Sequence, residues 1–311
     1  MKTPQAEEVP VAVHPTPFLP VQLPIMTSNL IVDLHMATGM IRSGVSGVKS
    51  KEVVRTVFTQ VLDSVFLITR HLHPDYRLIR VRLNDEKRRF SVSDFLYKPP
   101  AFCTTYQRAS IPGETMFYAV SCERRDFLSR SQTDFDFGLL IALIETLPEL
   151  RENCEISGTP DKGLIISPKC AFAHNVSISS WRVQSTINLV EIAPFSLYDM
   201  ERLRLYSNGF LYESHFRHCP EQAGPTLQFM SAIAREFIKP VSEENEEYFF
   251  SALCSNVLCR NHYDGVIYPS VKGNGVGVNV AIKPSAVNSS VRLVGSFDVE
   301  VTSDGEKLRV G

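Results

Sequence analysis

Nowhere does the 311-residue sequence hold an apolar run approaching the roughly 18 residues that a membrane-spanning helix requires, so a helical span is excluded. Neither sign of charge is in excess. The chain has 32 Lys and Arg against 34 Asp and Glu, a net charge of −2, which argues against a dedicated nucleic-acid binder with its usual basic surplus. The seven cysteines are odd in number and scattered, with no C-x-x-C pair. That pattern gives no disulfide framework and predicts reduced thiols in a cytoplasmic protein. His215, His218 and Cys219 form the one close Cys/His group, and they lack a second ligand pair, so no metal site is expected. No P-loop, G-x-S-x-G, H-E-x-x-H or G-x-G-x-x-G motif occurs. The glycine-rich Gly273-Asn274-Gly275-Val276-Gly277 lies between two strand-like segments and reads as a loop, because it does not open a helix as a phosphate cradle would.

What is present is ordinary globular material. Hydrophobic residues make up 44% and charged residues 21%, enough for a sizeable core in one large domain or two. Prolines at 4, 10, 15, 17, 20 and 24 mark residues 1–26 as an extended arm, with no compact apolar segment of the secretory kind. Val53, Val54, Val57, Phe58, Val61, Leu62, Val65 and Phe66 then make a double stripe with period four, which predicts an amphipathic helix from about 51 to 72.

From Tyr76 to Leu83 apolar and basic residues alternate with the period of a strand. Further strands are expected at Met116–Val120, Gly163–Ile166, Thr186–Val190, Tyr268 and the residues before it, and Val278–Ile282. Helices are expected over Phe137–Leu150 (limited or kinked by Pro148), Pro225–Ile238 and Glu244–Leu258, and a hairpin over 292–310 turns at Asp304-Gly305. Strands and helices mix without a βαβ rhythm, so the fold class read from the pattern is α+β.

Three blocks, in order, resemble the RES-domain family. The first is Leu78-Ile79-Arg80-Val81-Arg82. The second runs from Gln107-Arg108 through the Pro112-Gly113 turn to Met116-Phe117-Tyr118. The third, the most specific, is Tyr263-Asp264-Gly265-Val266-Ile267-Tyr268-Pro269-Ser270 followed by Asn279-Val280-Ala281-Ile282. Between them, the segment around Glu145 is similar to the family's glutamate-bearing helix, and Trp181-Arg182-Val183 to the strand after it.

The resemblance implies a RES fold related to ADP-ribosyltransferases, a mixed β-sheet core with flanking helices. It divides the chain into an arm (1–26), a helical extension (27–74), a RES-like domain (75–290) and a C-terminal β-hairpin (291–311). It implies NAD+ as substrate, no prosthetic group, and cleavage of the nicotinamide–ribose bond. Water or phosphate accepts the ribosyl carbon in some members and a protein side chain in others. Many members are toxins paired with an antitoxin, and the arm and long helix outside the resemblance suit antitoxin docking or homo-oligomerisation.

Carried over residue by residue, Arg80 and Arg108 would hold phosphate or ribose through forked, charged donors. Tyr118 would face the cationic ring, and Glu145 would stabilise the oxocarbenium-like transition state. Ser270 and Asn279 would supply hydrogen bonds near the cofactor. Glu145 sits in an apolar run, where an unpaired carboxylate is costly. Glu123, five residues past Tyr118, is the alternative acid, in a charged stretch where solvation is the default. Ala109-Ser110 departs from the aromatic and asparagine that many members carry there, which keeps open a non-catalytic nucleotide- or partner-binding module.

Overall fold

The computed structural model describes residues 28–44, 50–65, 67–84, 91–122, 132–159, 163–192, 217–218, 220–239, 245–270, 272 and 277–311. The proline-rich arm, Glu123, His215, Cys219 and residues 273–276 of the glycine-rich loop lie outside the described residues.

The described residues open with helices α1 (Ser28–Ser43) and α2 (Lys51–Ser64), followed by strands β1 (Thr69–Leu72) and β2 (Arg77–Leu83) and the short α3 (Val92–Phe95). Strand β3 (Phe117–Ser121) leads to α4 (Gln132–Thr146) and α5 (Pro148–Glu152). Strands β4 (Cys154–Thr159), β5 (Gly163–Pro168), β6 (Ala171–Val183) and β7 (Ile187–Glu191) come next. Helices α6 (Pro220–Ile238) and α7 (Phe249–Asn261) precede β8 (Gly265–Pro269) and β9 (Val278–Ile282). Helix α8 (Pro284–Ser290), β10 (Val291–Asp304) and β11 (Leu308–Val310) close the chain.

Nine strands form one sheet in the order β1-β7-β8-β9-β3-β2-β6-β10-β11, and β4 and β5 pair apart from it. Among the described residues only the β7–β8 pair is parallel, so the sheet is mixed and the fold is α+β. No described helix is long and apolar enough to cross a membrane.

Strand alternation gives the sheet two buried faces. On one face, Val190, Val266 and Ala281 pack under α1, α2, α6 and α7 through Leu34, Phe58, Phe229 and Phe250. Farther along that face, Ile79, Val81, Val120 and Ile178 pack under α4 through Ile141 and Ile144. The opposite face buries Leu78, Phe117, Trp181, Ile267 and Val280 with Phe95 and Val287. The helices of the first face thus stand in two groups, one over β7, β8 and β9 and one over β2 and β6.

Several sequence expectations shift. The helix expected to reach residue 72 stops at Ser64, with Val65 extended (φ −85°, ψ 146°). Residues 69–72 pair with β7 instead, and Arg70 forms a buried ion pair with Glu191 at 3.0 Å. An edge-strand ladder outweighs the continuation of a helical stripe. The helix expected over 137–150 breaks at Leu147 (φ −85°, ψ 121°), because the residue before a proline is driven out of helical geometry. Pro225 lies inside α6, which begins at Pro220, and a 3-10 turn (Asn245–Tyr248) precedes α7. Strand β10 of the C-terminal hairpin pairs with β6 from Val291 to Asp304. Strand β1, from the expected helical extension, joins the same sheet.

Candidate functional site

The site arises where two neighbouring strands part. Strands β2 and β3 pair only at Leu78–Ser121 and Ile79–Val120. Beyond Ile79, β2 stays with β6 as far as Leu83, while β3 stays with β9 back to Phe117. A cleft of about 500 Å³ opens at this fork, lined by Arg80, Val81, Tyr118 and Ala119. Its walls come from the two helix groups: Ala142, Glu145 and Thr146 of α4 on one side, Tyr248 on the other, with Tyr268 and Asn279 on the floor and Thr105–Arg108 at the rim. That volume lies within the range of small-molecule sites.

Glu145 comes one residue before the end of α4, on the helical turn that faces the sheet. Two neutral donors converge on its Oε1: Ser270 Oγ at 2.5 Å and Asn279 Nδ2 at 2.9 Å. No described donor reaches Oε2. Ser270 follows β8 directly, its backbone N–H is bonded to Gly277 O, and Asn279 is the second residue of β9, so the two donors stand on either side of one connection between antiparallel strands.

Arg80 sits at the fork with its guanidinium carbon 5.5 Å from the Phe117 ring centroid. Its Nη1 is buried and makes no hydrogen bond. Burial lowers its pKa to about 9, with repulsion from Arg82 adding to the effect and Tyr118 opposing it.

Tyr118 accepts from Ala109 N at 3.1 Å and shares a hydrogen bond with Ser110 Oγ at 3.2 Å. Burial raises its phenol to about 12, the two hydrogen bonds acting in the other direction. Ala109 and Ser110, the departure from the family pattern, are thus the residues that hold this hydroxyl. Tyr268 is buried on the floor, and desolvation pushes its phenol far up.

Arg108 lines the cleft, but its donors go elsewhere. Nη1 donates to Phe237 O, and both Nη1 and Nη2 reach Lys239 O, at 3.3 and 3.2 Å. Nη2 also donates to Tyr248 Oη at 3.4 Å, and the guanidinium lies 4.9 Å from the Tyr248 ring centroid.

Six residues singled out in the sequence therefore meet. Arg80, Arg108, Tyr118, Glu145 and Asn279 line one cleft, and Ser270 joins them through Glu145. Sequence reasoning did not single out Tyr106, Gln107, Tyr248 and Tyr268. Gln107 and Tyr268 stand inside the quoted blocks and could have been found there; Tyr248 lies in no motif and carried no signal. Among the described residues, no group of three or more His, Cys, Asp or Glu side chains could hold a metal ion.

Chemically the lining carries two cations, Arg80 and Arg108, one carboxylate, Glu145, and four phenols. Such a set can hold an anionic group and a flat ring at once, with a carboxylate oxygen left to face a developing positive charge. No family model, curated protein or solved structure matches the chain.

Proposed function

We propose that the protein is a RES-type enzyme, with a fold related to ADP-ribosyltransferases, that cleaves the nicotinamide–ribose bond of NAD+. The observation that carries this reading is the Glu145–Ser270–Asn279 network on a cleft that Arg80 and Tyr118 also line.

In this reading the pyrophosphate lies against Arg80. The nicotinamide, already cationic, leaves as the C1′–N bond breaks, and the ribosyl carbon becomes oxocarbenium-like. Glu145 faces that carbon or its hydroxyls and stabilises the charge, its Oε1 held by Ser270 and Asn279. Tyr118, kept neutral by its raised pKa, offers an aromatic face and a fixed hydroxyl. Water or phosphate then takes the ribosyl carbon, or a protein side chain does so in an ADP-ribosyltransferase. Such an enzyme acts on the NAD+ pool of the cytoplasm, and a cognate antitoxin protein would be its restraint.

The test is NAD+ consumption by the purified chain and by Glu145→Gln. Wild-type protein is expected to deplete NAD+, and the variant to lose at least about 100-fold of that rate with its fold retained. Free ADP-ribose or its 1″-phosphate marks a small-molecule acceptor, and label on protein marks transfer. Full activity in Glu145→Gln rejects the role of the acid, and NAD+ binding without turnover by the wild type leaves a nucleotide-binding module.

A further inference from the structure

We propose that Arg108 is a positioning residue: it holds Tyr248 so that the phenol ring forms the wall against which a flat heteroaromatic base of the substrate lies. The inference rests on the NAD+ reading and adds to it a ring seat and the residue that orients it.

The hydrogen bonds of Arg108 carry the argument. Carbonyls in the last turn of a helix have no partner within the helix and sit at the negative end of its dipole, so a cation is stable there. Arg108 occupies that place at the end of α6, donating to Phe237 O and Lys239 O. Turning the fork toward a phosphate would strip both carbonyls of it. The same guanidinium stacks 4.9 Å from the centroid of Tyr248, at the start of α7, and touches its hydroxyl at 3.4 Å. One planar group therefore ties the end of α6 to the start of α7 and sets the plane of a ring that lines the cleft. The other aromatic residues of the lining are Tyr106, Tyr118 and Tyr268, and the electrostatic influence of Arg108 and Tyr248 reaches the phenols of Tyr118 and Tyr268. A slot with aromatic sides suits a flat base, which in NAD+ is either the nicotinamide or the adenine.

The experiment measures steady-state NAD+ consumption by the full chain and by Tyr248→Ala, Tyr248→Phe, Arg108→Lys and the Tyr248→Ala/Arg108→Lys double variant. Tyr248→Ala is expected to raise KM roughly 10-fold with kcat within about 2-fold, and Tyr248→Phe, which keeps the ring but loses the hydroxyl that Arg108 touches, to raise KM by a smaller factor. Arg108→Lys keeps the charge but loses the fork, and should reproduce the rise in KM. The double variant should be no worse than either single one, because both changes remove the same wall. Inhibition by nicotinamide mononucleotide and by ADP-ribose identifies the base: the one whose inhibition weakens about 10-fold in Tyr248→Ala carries it, and loss with neither overturns the proposal.

A double variant near 100-fold, the product of the singles, would show Arg108 gripping substrate independently and would also overturn it. Should Arg108→Lys fail to fold, the Tyr248→Ala and Tyr248→Phe pair still decides: an active Tyr248→Ala enzyme with unchanged KM rejects this inference alone. A wild-type chain that never consumes NAD+ rejects the functional reading and this one with it.

Discussion

Ser270 and Glu145 are separated by 125 positions, and Ser270 Oγ donates to Glu145 Oε1 at 2.5 Å. With Asn279 Nδ2 at 2.9 Å on the same oxygen, Oε1 of a carboxylate that lines the cleft is fixed by two donors. Hydrogen bonds to a charged acceptor contribute more than those between neutral groups, about 1.5–3 kcal/mol each.

Ser270→Ala and Asn279→Ala should each slow NAD+ consumption by about 10- to 100-fold, the rate equivalent of losing one such bond. Chemical denaturation of the two variants should move little by comparison, since Glu145 is only half-buried and water can replace the lost donor. Two variants with wild-type kcat and KM would detach this network from the chemistry.

Arg80 sets stability against binding. Burial of the Arg80 guanidinium, with Nη1 left without a hydrogen bond, destabilises the empty protein, and replacing buried ionic groups with apolar side chains of similar volume often stabilises by about 1–4 kcal/mol. Arg80→Met should accordingly melt higher than wild type without ligand, and lose the rise in Tm that NAD+ gives the wild type. A lower melting temperature together with an intact NAD+ response would show the cation to be structural.

Tyr118 gives a pH dependence with a definite sign. Its phenol titrates near 12 in the folded chain and near 10 when unfolded, so between those values the native state holds a proton that the unfolded chain has released. Unfolding then gains free energy as pH rises, and this contribution to stability, complete below about pH 10, is lost toward 12. Tyr118→Phe should flatten the fall in urea midpoint across that window. Phenolate absorbance should also show one fewer late-titrating tyrosine; an unchanged alkaline titration would contradict the burial of this hydroxyl.

Gly277 links the acid's helix to its donors. Its φ is +86°, and a Cβ there would come within 2.6 Å of Ile141 Cγ1 on α4, four residues before Glu145. Gly277→Ala combines left-handed backbone strain with overpacking, so a loss of about 1–3 kcal/mol is expected in equilibrium unfolding, with a fall in activity as α4 shifts. Wild-type stability would show that Ile141 can give way freely.

Much of the secondary structure was legible because its causes are local. The stripe from Val54 to Leu62 is helical and buried, the alternation through Arg77–Leu83 is a strand, and Pro148 breaks a helix. Errors fell where a distant partner overrode the local pattern. Residues 69–72 continued a region read as helical, but β7 was there to pair with them. Nothing near Arg108 in the chain announces that its fork meets carbonyls of Phe237 and Lys239. Tyr248 had no local signal at all, since one tyrosine beside an apolar helix looks like any other.

From the chain alone came the α+β class, the sites of most strands and helices, and the set of polar residues that stand out against apolar surroundings. Those follow from periodicity, proline geometry and the cost of burying charge, each acting over a few residues. The tertiary structure alone decided that β2 and β3 separate after one short stretch of pairing, and that the two helix groups leave a cleft over the gap. It also decided which donors reach Glu145 and that Nη1 of Arg80 is buried without a hydrogen bond. These depend on strand register and on packing between segments more than a hundred positions apart, where no local preference of the backbone carries information.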